Sequence, residues 1–302
     1  MTISTPPPVS ILIATRNRDA PLARLLDSLE IARQEAKTNA EIIVVDNGSS
    51  DTTPSVLSKW TTLAARRVAL RVEQPGKSRA LNQALKAAGA PLLAFLDDDE
   101  TVAVTWLDAI LRFCTAHPMY ASATGRVLPP PGVTDPTLLE RLQWYRTIAF
   151  FDGGDRVRDQ DTLYGGNMVV RRQAFDAIGA FDERLGPGAR GGLEDIDLAA
   201  RLRQAGLRIG YMPEAIVYHA IDPQRLTLAY FRHHNHVAAR SAYVMNSASW
   251  RKSVPRVVDA TLGFLLWSLL RQPLRREHAR GRLIRHAEMI RLRLRGGRDS
   301  RR

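Results

Sequence analysis

Apolar runs of strand length alternate with stretches whose leucines recur at helical spacing, and that alternation leaves few folds open. Val9–Ala14 carries no charge, and Leu22, Leu25, Leu26 and Leu29 follow it on one helical face. Glu41–Asp46 (EIIVVD) is a second strand; Asn47–Thr53, dense in turn and cap residues, leads into a helix over Pro54–Arg66. Val68–Val72 and Pro91–Leu96 (PLLAFL) read as strands, with a helix over Ser78–Ala88 between them. Strands that are apolar throughout must be covered on both sides, so this order predicts a parallel sheet between two helical layers.

Past residue 100 the pattern loosens. Trp106–Cys114 reads as a helix, and Ala121–Val127 as a strand ended by Pro129–Gly132 (PPPG). Thr162–Arg171 joins a Gly-Gly turn to an apolar strand, Leu193–Gln204 is an amphipathic helix, and Ile209–His219 returns to strand. From Leu226 onward only helices are expected, to near Arg295. At 302 residues, 45% hydrophobic and 25% charged, the chain can bury a large core, and collagen, coiled coil and wholesale disorder are excluded. The single cysteine, Cys114, excludes an internal disulfide and a thiolate metal cluster and fits a reducing compartment. The first residues lack the basic start and long apolar centre of a signal peptide. Ala260–Leu270, between Asp259 and Arg271, is too short to span a bilayer, so a soluble or peripheral protein is expected.

The net charge of +12 is unevenly placed. Residues 271–302 hold twelve arginines, no lysine and three acids, a net +9, which leaves +3 for residues 1–270. Beside the apolar Val257–Leu270 with its Trp267, this basic end suits an interfacial helix on anionic lipid. Packing on the rest of the chain is the first reading for residues 226–265 and lipid contact for the residues beyond, with a solvated tail and non-specific nucleic-acid contact as the other readings.

Four features carry chemistry. Asp97-Asp98-Asp99-Glu100 follows the strand PLLAFL directly, at the carboxyl end where open α/β sheets bind ligands. Four adjacent acids repel one another, and a divalent cation such as Mg²⁺ or Mn²⁺ relieves the repulsion while also holding phosphate oxygens. A solvated acidic turn is the alternative. Asp46 ends a strand, where it can accept from a base or ribose, or merely form a turn. Gly191-Gly192-Leu193-Glu194-Asp195-Ile196-Asp197 brings acids to a helix start, either as a cap or as a base for a hydroxyl proton. His219 ends an apolar strand, as a structural histidine or a metal ligand. Gly76-Lys77-Ser78 is not a P-loop, because Arg71 stands where the pattern needs glycine; Lys77 and Arg79 remain as candidates near phosphates.

These pieces, in the order VSILIATRNR, EIIVVDNGSSDTT, PGKSRALNQAL, LLAFLDDDE, YGGNMVVRRQAF, FDERLGPGARGGLEDIDLAARLRQAG and Tyr218-His219, resemble the family-2 glycosyltransferases of the GT-A fold. The resemblance spans roughly Val9 to Asp222. It implies a Rossmann-like, mixed but mainly parallel α/β sheet flanked by helices, with a C-terminal helical extension. The expected divisions are a disordered lead-in at 1–8, a nucleotide-binding half at 9–100, an acceptor-binding half at 101–222 and a helical extension at 223–302. Thr15 and Arg16 would line the base pocket and Asp46 would contact the base. Asp97 and Asp98 would face ribose and diphosphate, with Asp99 and His219 on the metal. Lys77 and Arg79 both fit the basic position on the donor side. Asp195 would be the general base with Glu194 beside it, and Gly166 and Asn167 would border the acceptor. The resemblance further implies an inverting enzyme using Mn²⁺ or Mg²⁺, a nucleotide-sugar donor (a UDP-sugar foremost), and a glycan or lipid-linked acceptor in polysaccharide biosynthesis. It would be cytoplasmic, peripheral on the inner face of the membrane, touching it through residues 257–302. A sugar nucleotidyltransferase is the runner-up, but it usually opens with a Gly-rich loop where this chain reads ATRNRDA. A non-enzymatic basic module binding membrane or nucleic acid rests on the tail alone.

Overall fold

A computed structural model of the chain describes residues 7–62, 66–145, 147–189, 192–245 and 250–299. The chain divides into two units: residues 1–131, 151–183 and 194–220, and residues 132–150, 184–193 and 221–302.

The first unit is built on one sheet in the order β3-β2-β1-β4-β8-β6-β9-β5. β1 (Val9–Thr15), β2 (Glu41–Asp46), β3 (Arg67–Arg71) and β4 (Leu92–Asp97) are mutually parallel, as the apolar runs predict. Alternate residues of these runs serve two cores. Ile11, Ile13, Ile42 and Val44 pack with Leu22, Leu25 and Leu29 of α1 (Asp19–Glu35) and with Trp106 of α4 (Trp106–Ala116). Leu12, Ile43 and Val45 pack with Leu81 and Ala84 of α3 (Lys77–Ala87) on the other face. Two buried faces are why the strands show no polar alternation. α2 (Thr53–Thr61) covers the edge; the remainder of the helix expected there reaches residues 63–65, which lie outside the described residues.

Beyond β4 the sheet turns mixed. β6 (Tyr120–Leu128) and β9 (Arg208–His219) are parallel, but β8 (Met168–Arg171) runs antiparallel between β4 and β6. The long β9 also holds β7 (Arg158–Gln160) along its first half and β5 (Glu100–Val102) along its last residues. α6 (Arg172–Ile178) and α7 (Glu194–Gln204) complete the second core through Ala174, Leu198 and Leu202.

Asn167 lies at the centre of this half and corrects one expectation. It is 1% exposed, and its side-chain amide is consumed internally. Trp106 Nε1–H donates to its Oδ1 at 2.9 Å, and its Nδ2 donates to the carbonyls of Arg126 and Ala215, each at 2.8 Å. Gly125 is required beside it, since a Cβ there would fall 2.2 Å from the Ala215 carbonyl oxygen. Asn167 therefore ties β6, β9 and α4 together and does not face an acceptor. Pro7 is likewise buried, although the lead-in was expected to be disordered; residues 1–6 lie outside the described residues.

The second unit is helical, as expected beyond Leu226. It holds α5 (Pro136–Tyr145), a short 3-10 turn at Pro223–Leu226, α8 (Leu228–Val244), α9 (Trp250–Leu269) and α10 (Pro273–Asp299). α10 packs against α5, α8 and α9. Tyr145 stacks on Phe231 with ring centroids 4.8 Å apart, and Gly281 admits that ring, because a Cβ there would meet Phe231 Cζ at 2.4 Å. Among the described residues no helix is long and apolar enough to cross a membrane.

Replacing Asn167 with Ala strands one buried N–H and two buried carbonyls. It is expected to lower stability by on the order of 3 kcal/mol, read as a shift of the urea midpoint at constant slope.

Candidate functional site

The parallel register sets the site. Thr15 pairs with Asp46, and Ala14 with Asp97, so the carboxyl ends of β1, β2 and β4 open side by side. The acidic run begins here, and each member has a different partner. Asp97 is ion-paired with Lys77. Thr15 Oγ1 donates to Asp98 Oδ2 at 2.7 Å. Asp99 is 8% exposed, with Arg18 at 3.7 Å and His219 Nε2 at 3.6 Å. Glu100 is not part of an open acidic patch. It sits opposite His219 in the β5–β9 ladder, fully enclosed, accepting Asp97 N–H on one oxygen while Oε1 has no partner.

Burial, with Asp99 alongside, raises the Asp98 carboxyl to about 6 despite the Thr15 hydrogen bond. Burial together with Asp97 and Asp99 lifts Glu100 well above the ordinary range. Gly166 lies against this carboxylate: a Cβ there would fall 2.1 Å from Glu100 Oε1. Glycine at 166 is thus explained by Glu100.

His219 is oriented by its backbone. Nδ1 is 2.8 Å from the Ala220 carbonyl, which can only accept, so Nδ1 donates and Nε2 is the ring nitrogen turned toward Asp99. Asp99 and His219 thus offer a carboxylate and an imidazole nitrogen to one point. Among the described residues no three His, Cys, Asp or Glu side chains form a metal group. The pair fits Mn²⁺ or Mg²⁺ as an incomplete set, one that phosphate oxygens and water would complete.

Lys77, the first residue of α3, links this cluster to α7. Its Nζ pairs with Asp97 and lies 2.9 Å from Glu194 Oε1. Burial opposes its charge, but Asp97 and Glu194 outweigh that and raise it well above its usual value. Asp195, next to Glu194, accepts the Gly165 N–H on Oδ2 at 2.9 Å and the Ile196 N–H on Oδ1. Burial and Glu194 raise Asp195 to about 6, against the opposing field of Lys77. The Gly-rich segment before α7 is described except for Arg190 and Gly191.

Arg79 and Asp46 have partners of their own. Arg79 pairs with Glu183 at 2.9 Å and accompanies α3 away from the acids, so of the two basic candidates the structure brings Lys77 to the cluster. Both oxygens of buried Asp46 are engaged, Oδ1 by Ser49 N–H and Oδ2 by Arg71 at 2.6 Å, which makes it first a turn and clamp residue. Arg16 is exposed at the end of β1. Sequence reasoning missed Arg18, the Gly165 amide, Arg71 and Asn47. The Asn47 side chain bonds Val72 O, Gln74 O and Gly76 N–H, and so sets the loop that delivers Lys77. Parallel pairing of EIIVVD with RVALR would have signalled Arg71, since it puts Arg71 beside Asp46.

The profile of the family described as Glycosyl transferase family 2 matches residues 10–179. Among curated proteins, the chain is 32% identical over 214 residues to the succinoglycan biosynthesis protein ExoM of Rhizobium meliloti, covering 69% of this chain and 66% of that protein. It is 29% identical over 222 residues to the pre-mycofactocin glycosyltransferase of Mycobacterium tuberculosis, covering 70% of this chain but 42% of the relative. It thus spans under two thirds of either relative's length. The mannosyltransferase PcManGT from Pyrobaculum calidifontis, solved with GDP-Man and Mn²⁺, superposes with a TM-score of 0.62 at 18% identity, covering 94% of this chain and 87% of that one. That likeness bears on the fold.

A carboxyl with a raised folded value destabilises the protein above that value, and the penalty fades as pH falls through about 6 toward the unfolded value. In EDTA, Asp98→Asn is expected to raise stability at pH 8 by on the order of 2 kcal/mol and to change it little at pH 4. Equal gains at both pH values in thermal melts would remove burial and Asp99 as the cause.

Proposed function

Because the chain belongs to glycosyl transferase family 2, we propose that it transfers a sugar, with inversion, from a nucleotide-sugar donor (a UDP-sugar foremost) to a hydroxyl of a glycan or lipid-linked acceptor. The observation that carries this reading is Asp195. It is a partly buried carboxylate at a helix start, held by a loop amide and joined through Glu194 and Lys77 to the acids at the carboxyl ends of the sheet. Such a group, with its value raised to about 6, is charged at neutral pH yet basic enough to accept a hydroxyl proton.

Thr15, Asp46 and Asp98 occupy the strand ends where the base and ribose of the donor would lie, and Asp97 the approach of the diphosphate. Asp99 and His219 would hold Mn²⁺ or Mg²⁺, which when bound supplies positive charge to the leaving diphosphate. Asp195 removes the proton of the acceptor hydroxyl. The freed oxygen forms its bond to the anomeric carbon as the bond to the diphosphate breaks, and the nucleoside diphosphate leaves with the electron pair. Glu194, paired to Lys77, keeps the base in register, and the Gly165 amide fixes one of its oxygens. Support for the donor class comes from the GDP-Man and Mn²⁺ of the Pyrobaculum calidifontis mannosyltransferase, and for the acceptor class from the succinoglycan role of the rhizobial relative.

Nucleotide release from a panel of sugar nucleotides, with Mn²⁺ or EDTA, tests the reading. One donor should be turned over in Mn²⁺ only, and Asp99→Ala should abolish it. Asp195→Asn should keep donor binding by calorimetry and lower transfer by about 10²–10⁴-fold; full transfer in that variant would move the base elsewhere. Lys77→Met removes a field that lowers Asp195, so the acid limb of the pH–rate profile should move to higher pH. An unmoved limb would separate Lys77 from the base.

A further inference from the structure

The α9 helix leaves its apolar side uncovered. Toward α10 it presents Ala260, fully buried, and Gly263, whose Cβ position lies 3.7 Å from Ala279. Phe264 and Trp267 lie beneath the guanidinium groups of Arg280 and Arg275, at 5.2 and 4.8 Å. On the opposite side Val254, Val258, Leu262, Leu265, Leu266 and Leu269 are 43–80% exposed. Their spacing places them within an arc of about 120° of the helix. Isolated exposed leucines are ordinary, whereas six large aliphatic side chains on one helical face form a contact surface.

Charge identifies the occupant. Residues 250–299 carry 13 Lys and Arg against 4 acids. Three of those acids are already neutralised: Asp259 by Arg282, Glu277 by Arg276 and Arg280, and Glu288 by Arg291. A second copy packed on this face would bring two strongly positive layers together, while an anionic bilayer complements both the aliphatic stripe and the arginines. The helix cannot cross a bilayer, so it would lie in the surface plane.

We infer that the outward stripe of α9, from Val254 to Leu269, docks the protein on an anionic lipid surface, the net positive charge of residues 250–299 setting the preference for negative headgroups. The sequence expectation gave the contact to residues 257–302 with Trp267 among them; the structure places Trp267 under Arg275, and the stripe proposed here is aliphatic.

The test is co-sedimentation of the full chain with vesicles of phosphatidylcholine alone, or of equal parts phosphatidylcholine and phosphatidylglycerol. Neither donor nor acceptor is present, so the outcome is independent of the catalytic reading. The protein should bind the anionic vesicles, bind the neutral ones weakly, and release with salt. The double variant Leu262→Gln, Leu269→Gln should reduce the partition coefficient about tenfold or more, with an unchanged circular dichroism spectrum. If that variant misfolds, Val258→Gln with Leu265→Gln replaces it. No binding to anionic vesicles, or binding by a folded variant equal to the parent, overturns the proposal. So does a concentration-dependent dimer, lost in the variant, in a protein that ignores vesicles.

Discussion

Carboxylates crowded at one end of a parallel sheet are the condition to which the first unit is fitted. Asp46, Asp97, Asp98, Asp99, Glu100, Glu194 and Asp195 all lie at or beside the strand ends, and most are partly or fully removed from water. Left alone they would repel one another and lose solvation at the same time. The chain answers with cations placed one by one: Arg71 on Asp46, Arg18 near Asp99, and Lys77 between Asp97 and Glu194. Where cations run short, the carboxyls rise toward protonation, as at Asp98, Glu100 and Asp195. With seven carboxylates against these three cations the cluster keeps an acidic excess, which suits it to receive a further cation.

The fold was legible where the physics was local. Uninterrupted apolar runs marked β1, β2 and β4 and their parallel order, because a strand covered on both faces is apolar almost throughout. It was less legible where partners are distant in sequence. β5 escaped because Glu100 is an acid inside a strand, enclosed there by β9 and Gly166. The antiparallel β8 reads like any apolar strand, and nothing in Met168–Arg171 encodes its direction.

The site was legible as residue types and less so as roles. The acidic run, Glu194-Asp195 and His219 do converge in one unit, and Lys77 rather than Arg79 faces them. Asn167 was misread because a buried asparagine and a ligand-facing one look alike in sequence; only the carbonyls of Arg126 and Ala215 and the Trp106 indole distinguish them. Arg71 was noticed as a missing glycine and not as the partner of Asp46, since that partnership depends on strand register.

The amide that holds Asp195 belongs to a turn closed by the Asn167 N–H on the Tyr164 carbonyl, and Asn167 is in turn fixed by Trp106. Tyr164 itself stacks on Phe151 at 4.4 Å. Placement of Asp195 is thus inherited from the packing of Trp106, Phe151 and Tyr164. A mutational scan scored by turnover alone would therefore rank Trp106 and Phe151 with any group that acts on substrate, through what they hold in place. Only a scan that also records the amount of folded protein would tell the scaffold from the chemistry.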